Sequence, residues 1–219
     1  MIEVLVMFIW WQIVAGVGIS AGLHRYFAHN QYSVPIWMEY IFLWLATLAG
    51  ARSPIGWIGA HRMHHHHSDT DLDPHSPKYK GFFHVLLNQW DLDKIERKYV
   101  RTCWDKPSLV FFHKHWGKIW IASAVVFYFL GLLYLIIGSA ILGFIGFGWV
   151  NAICHSVDGG SRNVMWVNIL VGGEGYHDEH HKNGQQIRMG TWDHTGFLIE
   201  KLLLLTRTKS KMRVSERVL

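Results

Sequence analysis

The chain has 219 residues, half of them hydrophobic and only 17% charged, against about a quarter charged in ordinary soluble domains. Its 21 Lys and Arg exceed its 16 Asp and Glu, a formal charge of +5. The basic residues sit in polar segments and the tail, which suits an anionic membrane leaflet and argues against nucleic acid as a partner. Cys103 and Cys154 show no metal spacing and imply no disulfide framework.

The length favours a single domain, residues 1–219. Residues 1–23 carry one charge, Glu3, and lack the basic start of a signal peptide, so they predict a retained transmembrane helix. Residues 35–51 open at Pro35 and are interrupted by Glu39, and they predict an interfacial or re-entrant helix. Residues 61–106 are polar and predict a cap, with a loop at 68–80. The stretch 119–157 has no Asp, Glu, Lys or Arg and is too long for one span. It predicts a transmembrane hairpin over 117–155, with Gly131 and Gly138 bracketing its turn. Gly143, Gly146 and Gly148 would let the second arm pack closely. Residues 158–219 complete the cap, with an apolar-faced helix at 194–206 (Phe197, Leu198, Leu202, Leu205) and a basic tail through Lys209, Lys211, Arg213 and Arg217.

Histidines punctuate this apolar pattern. His61, His64 and His65 fall at i, i+3 and i+4 and share one helix face, and His177, His180 and His181 repeat the spacing. Asn151 and His155, at i and i+4, share a face at the end of the hairpin. His24 and His29, at i and i+5, diverge on a regular helix and converge only if the first helix ends or unwinds just after His24. Nine imidazoles exceed one tetrahedral site and suit two ions. Face geometry predicts one ion with His24, His29, His61, His65 and His181, and the other with His64, His155, His177 and His180, with Asn151 nearby through a water. Imidazole accepts Zn, Cu, Fe or Ni, so ligand type alone does not choose the metal. His66 and His67 miss the shared face, His75 and His84 are candidates to orient ligands through hydrogen bonds, and His113, His115 and His194 read as interface or surface residues.

A shared site requires all clusters on one side of the membrane. Residues 35–51 then do not span. The layout becomes an outside N-terminus, about three spans and a cytoplasmic cap that holds most Lys and Arg. The fold class is an all-α integral membrane protein with an interfacial helix and a helical cap around a histidine-rich dimetal site.

The motifs HRYFAH, W-x3-HRMHH with SDTDLDPHSP and GFFH, NAICH, and GEGYHDEHH, in this order, resemble the membrane fatty-acyl desaturases, nearest the stearoyl-CoA or delta-9 branch. The resemblance runs from about Gly18 to Arg207. It implies a non-haem diiron enzyme that uses O2 and two electrons to desaturate a long acyl chain. It also implies that the nine histidines named above are ligands, that Asn151 acts through a water, and that Trp57 lines the acyl tunnel. Asp73 and His75 fall in a matching structural element, and Trp149 is a second candidate tunnel residue. The family usually has two membrane helices before the first box, and this chain has one. The segment ARSPI at 51–55 departs from the acyl-CoA forms, which leaves acyl-CoA, acyl-lipid and acyl-carrier-protein substrates open. No fused cytochrome b5 segment is present, so a separate donor, ferredoxin or cytochrome b5, is expected to dock, with Lys78, Lys80, Arg97, Lys98 and Arg101 as candidate contacts.

The chemistry is consistent with this. Hydrogen abstraction from a methylene requires redox capacity that Zn lacks and iron has. Rival readings are a hydroxylase or ketolase on the same scaffold, and a non-enzymatic membrane metal-binding protein.

Overall fold

The computed structural model describes residues 1–206, with side chains through Leu203. Leu205 as a side chain, and the basic tail at Lys209, Lys211, Arg213 and Arg217, lie outside the described residues. The regular secondary structure of the described residues is all helical, with one isolated bridge between His155 and Ser161.

The first helix, α1, runs Ile2–Ala28, longer than residues 1–23 suggest. It is an ordinary α-helix to Ile13 and π-helical over Val14–Ala28. Helix α2 (Ile36–Leu48) has 13 residues, about 20 Å, too short to cross a hydrocarbon core of about 30 Å. It packs along the π-helical half of α1, where Gly18 and Gly22 leave no room for a side chain. A Cβ on Gly18 would lie 2.6 Å from Leu45 Cβ and one on Gly22 2.5 Å from Phe42 Cβ. Glu39, buried at the start of α2, accepts from Tyr26 Oη (2.5 Å), Lys106 Nζ (2.8 Å) and the Ser108 hydroxyl. The charge that interrupts the apolar segment is thus matched inside the protein.

Helix α3 (Pro54–His67) has Ser53 as its N-cap, accepting from Gly56 N–H at 3.0 Å, and Pro54 in its first turn. Short helices α4 (Pro77–Lys80), α5 (Phe82–Leu86) and α6 (Arg97–Val100) follow. The hairpin is α7 (Pro107–Phe129) and α8 (Leu133–Ile153). Its turn is made by Gly131, whose φ of +71° favours glycine. Gly138 does not bracket the turn. It lies inside α8, where a Cβ would meet Met7 Sδ at 2.6 Å. Gly143 and Gly148 pack against backbone, the Ala49 and Leu86 carbonyls. The last helices are α9 (Met165–Leu170), α10 (His177–Lys182) and α11 (His194–Thr206).

Among the described residues, two helices, Ile2–Ala28 and Leu133–Ile153, are long and apolar enough to cross a membrane. Indole N–H groups tie the apolar helices together. Trp10 donates to Ser139 Oγ (3.0 Å), Trp44 to Ser123 Oγ (3.0 Å) and Trp11 to the Leu170 carbonyl (2.7 Å). Such ties satisfy donors that find no water in an apolar interior.

Candidate metal centre

Four parts of the chain deliver the histidines to one place. The π-helical end of α1 carries His24 and its cap His29, α3 carries His61, His64 and His65, His155 lies two residues past α8, and α10 carries His177, His180 and His181. Their ligating atoms form two compact groups: His24, His29, His61, His65 and His180, and His64, His155, His177 and His181, with the atoms of each group within 4.8 Å of one another.

Two expectations are corrected. His180 belongs with the first group and His181 with the second, the reverse of the reading from face geometry. The Nε2 of His180 lies 2.9 Å from that of His24 and 2.7 Å from that of His65, while His181 Nε2 is 3.2 Å from both His64 and His177. Nor does α1 end just after His24; it unwinds earlier, into a wider π-helix from Val14 to Ala28. Its i→i+5 bonding carries His29 N–H to the His24 carbonyl at 3.1 Å. Residues five apart then stack on one face, with the two rings 5.0 Å apart.

Facing nitrogens at 2.7 to 3.2 Å test whether a cation fits. Burial, with the neighbouring rings, holds His61, His64, His177 and His180 well below the ordinary histidine value, and burial takes His181 down to about 3. These rings are therefore neutral, each with one proton and one lone pair. Three carboxylates contact the Nδ1 side of one ring each, at His64, His155 and His24. Asp73 Oδ2 lies 2.8 Å from His64 Nδ1, Asp69 Oδ2 3.4 Å from His155 Nδ1, and Glu174 Oε2 2.6 Å from His24 Nδ1, the last an electrostatic contact rather than an aligned hydrogen bond. At His64 a proton held at Nδ1 by Asp73 leaves the Nε2 lone pair facing His181 Nε2, an arrangement that a shared cation relieves. Two nitrogens each about 2.1 Å from one ion lie about 3.0 Å apart at a right angle and about 3.4 Å at a tetrahedral angle. The observed separations suit an ion with more than four neighbours. The donor set therefore fits two metal ions.

The carboxylates are themselves fixed. Asp73 accepts from the N–H of Asp69 and of His75, both at 3.0 Å, and Asp69 accepts from Gly160 N–H at 2.6 Å. Glu174 accepts from the Ser20 hydroxyl. Burial works against ionisation of Glu174, but the His24 ring, the Arg25 guanidinium and Ser20 outweigh it and keep its carboxyl below the usual range. Glu174 and Asp69 escaped the sequence reading. Their signal was position: an acid three residues before His177, and another two after the HHHH run.

The other candidate residues divide. His75 is buried, its ring 4.2 Å from that of His64, and burial lowers its pKa to about 4. His84 is exposed on α5 and makes no side-chain hydrogen bond to the cluster among the described residues, because α5 turns that side outward. Trp57 stacks on His61 at 5.0 Å and meets Phe147 of α8 at 6.3 Å. Trp149 packs instead on Trp166 at 5.0 Å, in a separate small cluster with Cys154 and Val167. Asn151 is buried in the last turn of α8, but His155 lies beyond the helix end, so the two do not share a helical face. A cavity of about 720 Å³ reaches His29 and is lined also by Tyr26, Tyr32, Arg62, Lys106 and Gln185.

The chain is similar in sequence to known proteins. A family model described as fatty acid desaturase matches residues 3–185. The chain is 33% identical over 222 residues to an sn-1 stearoyl-lipid 9-desaturase of Synechocystis, covering 92% of this chain and 69% of the relative. It is 32% identical over 202 residues to an sn-1 stearoyl-lipid 9-desaturase of Anabaena variabilis, covering 84% and 72%. It is 30% identical over 197 residues to delta-9 acyl-lipid desaturase 2 of Arabidopsis thaliana, covering 81% of this chain and 63% of that relative's length.

Proposed function

Because this chain belongs to the fatty acid desaturase family, we propose that it introduces a cis double bond, at the delta-9 position, into a long acyl chain carried on a lipid. The observation that carries this reading is the pair of converging groups of histidines, six of the nine buried. The relatives are named for acyl-lipid and stearoyl-lipid substrates, which favours an acyl lipid over acyl-CoA or acyl-ACP.

We take the two ions to be iron, held by His24, His29, His61, His65 and His180, and by His64, His155, His177 and His181 with Asn151 through a water. Bound iron supplies the O2 and one-electron chemistry that breaking a methylene C–H bond needs. The chain's own residues bind, orient and exclude water. Asp73, Asp69 and Glu174 hold the rings of His64, His155 and His24 in orientation. Trp57 and Phe147 offer an apolar wall beside His61 and His24, where an acyl chain would be kept in reach and away from water. The two long apolar helices and the family support a membrane location. In our reading α1, α7 and α8 span, α2 stays within one leaflet, and the histidine face is cytoplasmic. Lys78, Arg97 and Arg101 are exposed there as contacts for an acidic electron carrier such as ferredoxin or cytochrome b5, whereas Lys80 is paired with Asp91 and Lys98 with Glu96.

The test is expression in membranes with a working reductant, with bound metal measured and fatty acids profiled by mass spectrometry. Two irons per chain and a new monoene, both diminished in His64→Ala and His180→Ala, are expected. An oxygenated lipid in place of the monoene would make the protein a hydroxylase or ketolase, and loaded iron without any lipid product would overturn the enzymatic reading.

A further inference from the structure

The end of α1 is unusual in how its backbone is satisfied. A helix leaves its last carbonyls without intrahelical partners. Here the His24, Arg25 and Tyr26 carbonyls are taken by the N–H groups of His29, Gln31 and Asn30. No backbone N–H among the described residues reaches the next three, on Phe27, Ala28 and His29. All three are met by side chains. Arg62 Nη2 donates to the Phe27 carbonyl at 2.8 Å and Arg62 Nε to the Ala28 carbonyl at 2.9 Å, while Gln185 Nε2 donates to the His29 carbonyl at 3.0 Å.

Both side chains come from ligand-bearing parts of the chain. Arg62 lies on α3, between His61 and His64, and its Nη1 also donates to the Tyr99 carbonyl and Thr102 Oγ1, each at 3.0 Å. Gln185 follows α10. A return tie, from Gln31 Nε2 to the Gly184 carbonyl at 2.8 Å, runs between the same two segments. A Cβ on Gly184 would lie 3.1 Å from His29 Nδ1, so that segment closes directly on the His29 ring. Arg62 makes no contact with a carboxylate. Two of its nitrogens, Nε and Nη2, face carbonyls at the C-terminal end of α1, where the helix dipole favours a cation.

We propose that Arg62 and Gln185 are positioning residues for the first histidine group. They clamp the widened end of α1 to α3 and to the segment after α10, and so fix His29 against its neighbours. His29 needs such a device because it sits one residue past the helix, with His61 Nε2 2.7 Å from its own Nε2. The second group, built on His64, His155, His177 and His181, has no ligand on α1 and does not depend on this clamp. The proposal rests on the reading of the two groups as metal sites.

The experiment loads the full-length protein anaerobically with ferrous iron and follows its extraction by a chelator. Variants are Arg62→Met, Arg62→Lys and Gln185→Ala, the last at an exposed position. Ser139→Ala, which removes the tie from Trp10 on α1 to α8, reports the effect of general loosening. The expected result is two-phase extraction in which one iron per chain leaves about 10- to 100-fold faster in Arg62→Met and Gln185→Ala, with the other phase unchanged. Arg62→Lys should fall between, because Lys keeps the charge but lacks the fork that reaches two carbonyls. Wild-type rates in both phases, or equal acceleration of both as in Ser139→Ala, would overturn the positioning role while leaving the metal reading intact. A wild-type chain that takes up no iron would overturn both.

Discussion

The Nε2 atoms of His24 and His180 face each other at 2.9 Å across a separation of 156 residues. That contact divides two adjacent histidines of α10, His180 to the end of α1 and His181 to His64, His155 and His177.

The division has a consequence for double variants. His64→Ala and His181→Ala remove ligands from one group, so combining them should still leave about one iron per chain. Combining His64→Ala with His180→Ala damages both groups and should leave close to none. Metal analysis of the purified proteins decides between this grouping and the reverse.

Glu174→Gln preserves size but removes the charge beside His24 Nδ1. Loss of such an outer partner weakens metal binding by about 10- to 100-fold. The loss should fall on the first group alone, and Asp73→Asn should do the same to the second through His64. Chelator competition measures both.

Acid should destabilise the metal-free protein in a defined window. Burial lowers His75 to about 4 and His181 to about 3, from an ordinary value of 6.5. Below 6.5 the unfolded chain binds more protons than the folded one, so stability is full above that pH and falls as pH drops toward 3. Each displaced histidine contributes up to about 1.4 kcal/mol per pH unit. Thermal melts of the apoprotein at a series of pH values should show this slope, and iron loading should raise the melting temperature without flattening the slope, because ligation also keeps the rings unprotonated in the folded state.

Glycines in the hairpin should separate by what they touch. Gly143→Ala and Gly148→Ala drive a methyl into the Ala49 and Leu86 carbonyls, at a cost of about 1–3 kcal/mol. Gly117→Ala meets nothing within 4 Å in the interior of α7 and should gain up to about 1 kcal/mol from helix propensity. Melting temperatures in detergent would check the contrast.

Much of the site was legible because helical spacing is local. His61, His64 and His65 sit where their spacing puts them, and α11 occupies the residues its apolar face marks. The carboxylates Glu174 and Asp69 were not legible. An acid in a polar segment is ordinarily solvated, and only folding brings Glu174 against Ser20 and His24. Trp149 was not legible either, since an apolar residue late in α8 suits a tunnel wall or helix packing equally, and it is the rotation of α8 that sets it on Trp166 and presents Phe147 to Trp57.

The sequence alone determined the membrane-suited helices, the nine histidines and the family pattern, since these depend on composition and on spacing within one segment. Only the tertiary structure decided that α1 widens before His24 rather than ending just after it, and that His180 and His181 part company. Both depend on how α1, α3 and α10 are rotated and pressed together. Spacing fixes which residues share a face of one helix, but packing of separate helices, with clamps such as Arg62 at the Phe27 and Ala28 carbonyls, fixes which faces meet.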